Sequence, residues 1–292
     1  MKISHIIFLT ITLSLSLRSQ TNEKSSTRLT FFPSGLHFPP LKASIQEPRV
    51  GAFKFLDASQ MKVDVGNAID VLGLDIPTSH IRITAGIDFM AYIFTTGAQG
   101  LRLQVDAVDG FYGGNLSFSK EYNSNQLQAR MRILHHSAHF VDGHYNSSTG
   151  SWIDNHQPIP FTRDFGELTI AHSGSPDFGH VRYYGGISYA TLVRPVDVQR
   201  FSYLSGIELS FDKLFGCLLD RATNVYFAYN VSFHGSPAYA ASHQLQVGLK
   251  LGGWYEKGAT FYIAYYNGQH MFGEYFNERM STIGAGFTVD FF

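Results

Sequence analysis

Cysteine is almost missing from this chain: Cys217 is the only one in 292 residues. That excludes an intramolecular disulfide and most thiolate metal sites. Charge is scarce as well. Asp, Glu, Lys and Arg make up 15% of the sequence, against roughly 25% in an average soluble domain. The formal net charge of −1 gives no electrostatic steering toward nucleic acid, so no nucleic-acid partner is expected. Beyond the N-terminus no run of about 18 apolar residues occurs, which excludes a transmembrane helix. No glycine-rich loop follows a strand and opens a helix, so nucleotide binding is not expected. Nor is any other cofactor or a resident metal.

What is present is aromatic and glycine-rich. Phe, Tyr and Trp make up 15% of the chain, with 28 glycines. Lys2 precedes an apolar run from Ile6 to Leu17, too short to cross a bilayer as a helix. Arg18, Ser19 and Gln20 and then TNEKSST follow, which reads as a Sec-type signal peptide over residues 1–19. Residues 20–48 read as a Pro-rich periplasmic arm, because Pro33, Pro39, Pro40 and Pro48 block long regular elements. The arm is suited to plugging a barrel mouth or meeting a periplasmic partner.

From residue 49 to 292 the pattern is period-two alternation. In STIGAGFTVDFF, Ile283, Ala285, Phe287, Val289 and Phe291 share one face, opposite Thr282, Gly284, Gly286, Thr288 and Asp290. HQLQVGLKLGG, NVYFAYNVSFH and YLSGIELSFD repeat the logic, and about twelve such segments occur without a convincing amphipathic helix. A soluble sandwich and a membrane barrel both fit alternation, and the pattern does not say which face is inside. Strands of about ten residues suit tilted transmembrane strands. Aromatics near strand ends suit interfacial girdles. Together with the signal peptide and an aromatic-terminated last strand, these features predict an all-β fold: a transmembrane antiparallel β-barrel of about twelve strands in the bacterial outer membrane. Its expected partners are outer-membrane lipids and, during biogenesis, the barrel-assembly machinery. In that register Arg130, Arg132, Arg182, Glu208, Asp212 and Lys250 point into the lumen, as cross-linking ion pairs or as the lining of a narrow pore.

The segments HFPPLKASIQEPRVG, RMRILHHSAHFVDG, VRYYGGISYATLVRP and VDAVDGFYGGNL resemble the bacterial family named domain of unknown function 1207. The resemblance spreads over most of the mature chain and implies an outer-membrane barrel. It implies no activity. The family usually follows its His-x-Ser with a second Ser, a His and then Leu-Gly-Asp-Glu. Here Ala138, Val141 and Gly143 replace the second Ser, the Gly and the Glu, while His135, Ser137, His139 and Asp142 keep the pattern.

On QLQARMRILHHSAH the apolar face of Leu127, Ala129, Met131 and Ile133 continues in phase into His135, Ser137 and His139. Residues two apart on a strand lie about 6.6 Å apart on one face. His135 and Ser137 therefore share the expected lipid-facing surface near the outer leaflet, as a base and a nucleophile for an acyl ester would. The arrangement is similar to that of outer-membrane phospholipase A and lipid A deacylases, which need a third polar member on the neighbouring strand. Asp142, Asp154 and Asn155 are the loop candidates for that role, while Glu167 points inward on the strand FGELTIAHS. A second account is non-catalytic, with the three polar residues forming the rim where a strand leaves hydrocarbon. Metal binding is a third, but His135 and His139 stand about 13 Å apart along a strand, too far to share an ion. The leading functional expectation is a structural or transport barrel, with a serine-type lipid acyl hydrolase as the alternative.

Overall fold

The computed structural model describes residues 26–97, 103–218 and 220–291. The expected signal peptide lies outside them, as do the side chains of Asp142 and Asp154. The strands, in chain order, are β1 (Arg28–Phe31), β2 (Val50–Phe55), β3 (Gln60–Ile76), β4 (Ile81–Gly97), β5 (Leu103–Tyr122) and β6 (Asn125–Phe140). Two short pieces, β7 (Tyr145–Asn146) and β8 (Ser151–Trp152), precede β9 (Phe161–Gly174), β10 (Gly179–Arg194) and β11 (Phe201–Phe211). Then come the two-residue β12 (Cys217–Leu218), β13 (Arg221–Gly235), β14 (Tyr239–Leu251), β15 (Gly258–Gln269) and β16 (Arg279–Asp290). Among the described residues the only helix is in four short 3-10 turns.

Twelve strands close a ring in the order β2, β3, β4, β5, β6, β9, β10, β11, β13, β14, β15, β16, every neighbour antiparallel. Closure runs from Val50 opposite Val289 to Phe55 opposite Gly284. One end of the ring, the hairpin end, has tight connections such as Asn123–Ser124 between β5 and β6, with Asn123 at φ 54°. That left-handed conformation is one asparagine tolerates and a two-residue hairpin favours. The other end carries residues 141–160 and 270–278 and is the loop end.

Burial settles which face is inside. Ile133 (64% exposed), Phe89, Ile87, Ile263 and Phe261 stand outward, while Arg132, Arg182, Lys250 and Glu208 are at most 1% exposed. A soluble sandwich would place these sets the other way round, so the molecule is built for a lipid surround. Aromatics form a belt at each end. Tyr189, Phe201, Tyr203 and Tyr239 run ring to ring near the loop end, and Phe178 meets Phe211 near the hairpin end. The strands are longer than the ten residues expected, reaching 20 in β5, so they project past the hydrocarbon layer.

The arm is part of the barrel. β1 pairs with β3 at Asp75 to Leu72, and β2 pairs with the same strand at Val65 to Met61. The two share one lane of the wall, and the chain between them turns inward and fills the lumen. Leu41, Ala43 and Glu47 are fully buried there. Glu47 accepts two hydrogen bonds from Arg130, at 2.9 and 2.5 Å, and lies 3.8 Å from Arg132, which binds Glu167 at 2.7 Å. Arg182 donates to Glu208 and to the carbonyls of Pro39 and Pro40, and the Lys42 amide donates to Glu208. Lys42 and Lys250 share Asp290, and Phe38 packs under the guanidiniums of Arg130 and Arg182. Five of the six charges expected in the lumen are therefore inside and paired. Asp212 is the correction: it lies one residue past β11, where alternation has ended, and is exposed at the hairpin end. The loop end is also covered, by residues 271–275 folded inward, with Glu274 accepting from the Phe140 and Ile159 amides.

Removing one member of a buried ion pair costs about 3–5 kcal/mol. Glu47→Ala is therefore expected to lower the melting temperature of the detergent-folded barrel and to raise its conductance in a planar bilayer. Wild-type melting and conductance in that variant would show that the arm is held by other contacts.

Candidate functional site

The outward face of β6 and its neighbours carries two adjacent rows of side chains near the loop end. In one, register aligns Tyr112, His135, Asp164 and Leu192 across β5, β6, β9 and β10; in the next it aligns Gly110, Ser137, Thr162 and Arg194. Immediately toward the hairpin end, Ile133, Gly166, Tyr189 and Phe201 form an apolar row within the aromatic belt. The two polar rows therefore begin where the belt ends, on its loop-end side.

His135 Nδ1 stands 2.6 Å from Asp164 Oδ1, and the ring lies 4.8 Å from that of Tyr112. A carboxylate oxygen accepts, so Nδ1 is the donor in this contact, and in the neutral ring that tautomer leaves the lone pair on Nε2. Ser137 is half-buried on the same face, two residues on. About 6.6 Å of strand separates the positions, less than an imidazole, a hydroxymethyl group and a hydrogen bond span together. Ser137 Oγ has no hydrogen-bond partner among the described residues, and no contact joins it to His135 in this structure. In the same row, Thr162 Oγ1 is buried without a partner, and Arg194 is exposed.

The sequence-derived candidates fall as follows. His135 and Ser137 are together on the outer face, with His139 exposed beyond them. Asn155 closes a 3-10 turn at φ 59° and is exposed in the 141–160 loop. Asp142 and Asp154 occupy turns of that loop, and their side chains lie outside the described residues. The observed partner of His135 is Asp164, which none of the three candidates anticipated. The strand FGELTIAHS read from the sequence begins at Phe165, one residue after Asp164. β9 begins at Phe161, and carrying its alternation back from Ile170 and Leu168 through Gly166 puts Asp164 on the outward face. Glu167 points inward to Arg132, in keeping with its exclusion.

Alternation sends the intervening residues into the lumen. His136 is buried, stacked on Phe111 at 3.8 Å, with Nε2 2.9 Å from Asp109 Oδ2. Asp109 also accepts from the Gly273 amide and so ties the inward-folded loop to the wall. His135 and His136, adjacent in sequence, serve opposite sides of the wall.

A closed antiparallel ring, apolar outside and polar inside, with a belt of aromatics at each end, defines an integral β-barrel of the outer-membrane type. The chain belongs to the family described as Protein of unknown function (DUF1207), whose model matches residues 31–291. No curated protein matches it. Among solved structures it is similar to the Pseudomonas putida toluene transporter TodX, at 10% identity and a TM-score of 0.43, covering 80% of this chain and 69% of that one. It is also similar to the outer-membrane expressed OmpT of Vibrio cholerae, at 8% identity and a TM-score of 0.31, covering 86% and 98%.

The His135–Asp164 pair is one-third to one-half exposed. Pairs of that kind contribute about 0–1 kcal/mol to stability. Asp164→Ala is therefore expected to keep heat-modifiable gel mobility and to melt within about 1 kcal/mol of wild type. Loss of the folded band would make the pair a structural clasp.

Proposed function

We propose that this protein is a lipid acyl hydrolase of the bacterial outer membrane, with Asp164, His135 and Ser137 as its catalytic set. The observation that carries the reading is the 2.6 Å contact between His135 Nδ1 and Asp164 Oδ1, on the outward face beside Ser137. A carboxylate on the neighbouring strand, aimed at the histidine of an outward His-x-Ser, is the third member the chemistry needs. The contents of the lumen favour the same reading. A transport barrel needs a path, and here the arm occupies the middle of the barrel with its charges paired.

The chemistry follows from the tautomer. Asp164 holds the Nδ1 proton and stabilises the imidazolium as it forms. Nε2 takes the Ser137 Oγ proton while Oγ bonds to the ester carbonyl carbon, and the carbonyl oxygen becomes the oxyanion. Collapse breaks the ester C–O bond, and Nε2 returns its proton to the leaving alcohol. Water then attacks the acyl-serine with His135 again as base, releasing fatty acid and restoring Ser137. Thr162 is a hydroxyl donor in the same row, and Arg194 suits the phosphate of an outer-leaflet lipid. A lipid-facing site meets its substrate by lateral diffusion, so the acyl ester never enters the lumen.

Detergent-folded protein is expected to release fatty acid from phospholipid or lipopolysaccharide, assayed with and without calcium. Ser137→Ala and His135→Ala should abolish release while keeping heat-modifiable mobility. Asp164→Asn should retain the fold and lose about 10²- to 10⁴-fold in rate. Absence of release from folded wild type on both lipids, in both conditions, would reject the hydrolase and leave the rows as a polar rim.

A further inference from the structure

We infer that the lumen holds a binding site for a small oxyanion, a carboxylate or a phosphate, near the loop end and centred on the Arg163 guanidinium. Arg163 is on β9, opposite His136 of β6 in register. It faces inward and is 5% exposed. Among the described residues it has neither a hydrogen bond nor an ion pair, and its Nε is buried without a partner. The other inward arginines differ: Arg130, Arg132 and Arg182 each hold a carboxylate within 3 Å, and Arg49 donates to the carbonyls of Leu41, Lys42 and Ser44. The two carboxylates whose charge reaches Arg163 accept their hydrogen bonds elsewhere, Glu167 from Arg132 and Asp109 from His136 and the Gly273 amide.

A buried charge without a counter-ion is strongly destabilising. A fold that gives the guanidiniums of Arg49, Arg130, Arg132 and Arg182 their acceptors and leaves this one without is built to accept an anion there. The surroundings fit. A cavity of about 40 Å³, room for a few water-sized groups, lies between Arg163, His136, His234, Gln46, Ser236 and Phe272. His234 Nδ1 is buried without a partner, so β9 and β13 each bring an unsatisfied polar group to the residues lining this space. Phe165 covers one side of the guanidinium, with 4.9 Å from its ring centre to Cζ. This leaves the planar edge, whose two parallel N–H groups match the oxygen pair of a carboxylate or phosphate. His270, at the cavity wall in the 270–278 loop, has its pKa lowered to about 4 by burial. It is therefore neutral near pH 7, and Arg163 is the fixed cation of the site. The site faces the lumen and stands independently of the outward His135–Asp164 chemistry.

The test uses the full chain folded in detergent, in chloride buffer of matched ionic strength, titrated with sodium phosphate and separately with sodium acetate. Melting temperature and isothermal titration are the readouts. At least one anion should raise the melting temperature by a few degrees and show saturable heat. The acetate and phosphate arms distinguish a planar from a tetrahedral ligand. Arg163→Met should abolish the response and, without oxyanion, melt no lower than wild type, because it removes an unpaired charge. Arg163→Lys should keep a weaker response. The inference is overturned if wild type responds to neither anion, or if Arg163→Met responds as wild type does. It is also overturned if that variant melts several degrees lower in oxyanion-free buffer, the result of a structural role.

Discussion

Glu47 is the point on which this structure turns. A barrel with lipid outside must put its polar side chains inside, and Arg130 and Arg132 on β6 then face a narrow lumen with too little room for bulk water. The arm supplies the missing charge. Glu47 reaches both guanidiniums, and Arg132 continues to Glu167 on the next strand. The split lane of β1 and β2 exists because the chain must leave the wall to deliver that carboxylate and then return. Arg182 and Lys250 hold the rest of the arm region in the same way, through Glu208, two proline carbonyls and Asp290.

A lumen so occupied leaves the outer wall as the accessible side of these strands. β6 and β9 present different contents on their two sides. His135, Ser137 and Asp164 face out at the aromatic belt, while His136 and Arg163 face in beneath the folded loop. The separation is a consequence of the two-residue repeat, since neighbours in sequence are held on opposite sides of a sheet one residue thick. A single pair of strands can therefore carry a lipid-facing dyad and a lumenal cation within a few residues without either group meeting the other.

Much of this was legible from alternation. The strand phase identified the outward run ending in His135 and Ser137 and the inward run of Arg130 and Arg132, because side-chain direction follows directly from parity along a strand. Parity failed only where a strand boundary was misjudged. Asp164 is not legible as a strand residue because the apolar pattern of β9 fades over Phe161–Asp164, where polar residues no longer mark the strand's end. Asp212 was assigned to a strand for the converse reason, its parity being carried one residue past the last β11 ladder position. The arm was legible as irregular and Pro-rich, but its place inside the barrel was not, since the partners of Glu47 lie 83 residues away in sequence.

The sequence by itself determined the strand content, the twelve-strand barrel and the pairing of apolar with polar faces, because these depend on local alternation and on the absence of long apolar runs. The tertiary structure alone decided that the arm entered the lumen, that Asp164 met His135 and that Arg163 kept no carboxylate hydrogen-bonded to it. Each of these depends on which strands are neighbours and on how register aligns them. Register comes from closing the whole ring, a condition that no single segment of the chain carries.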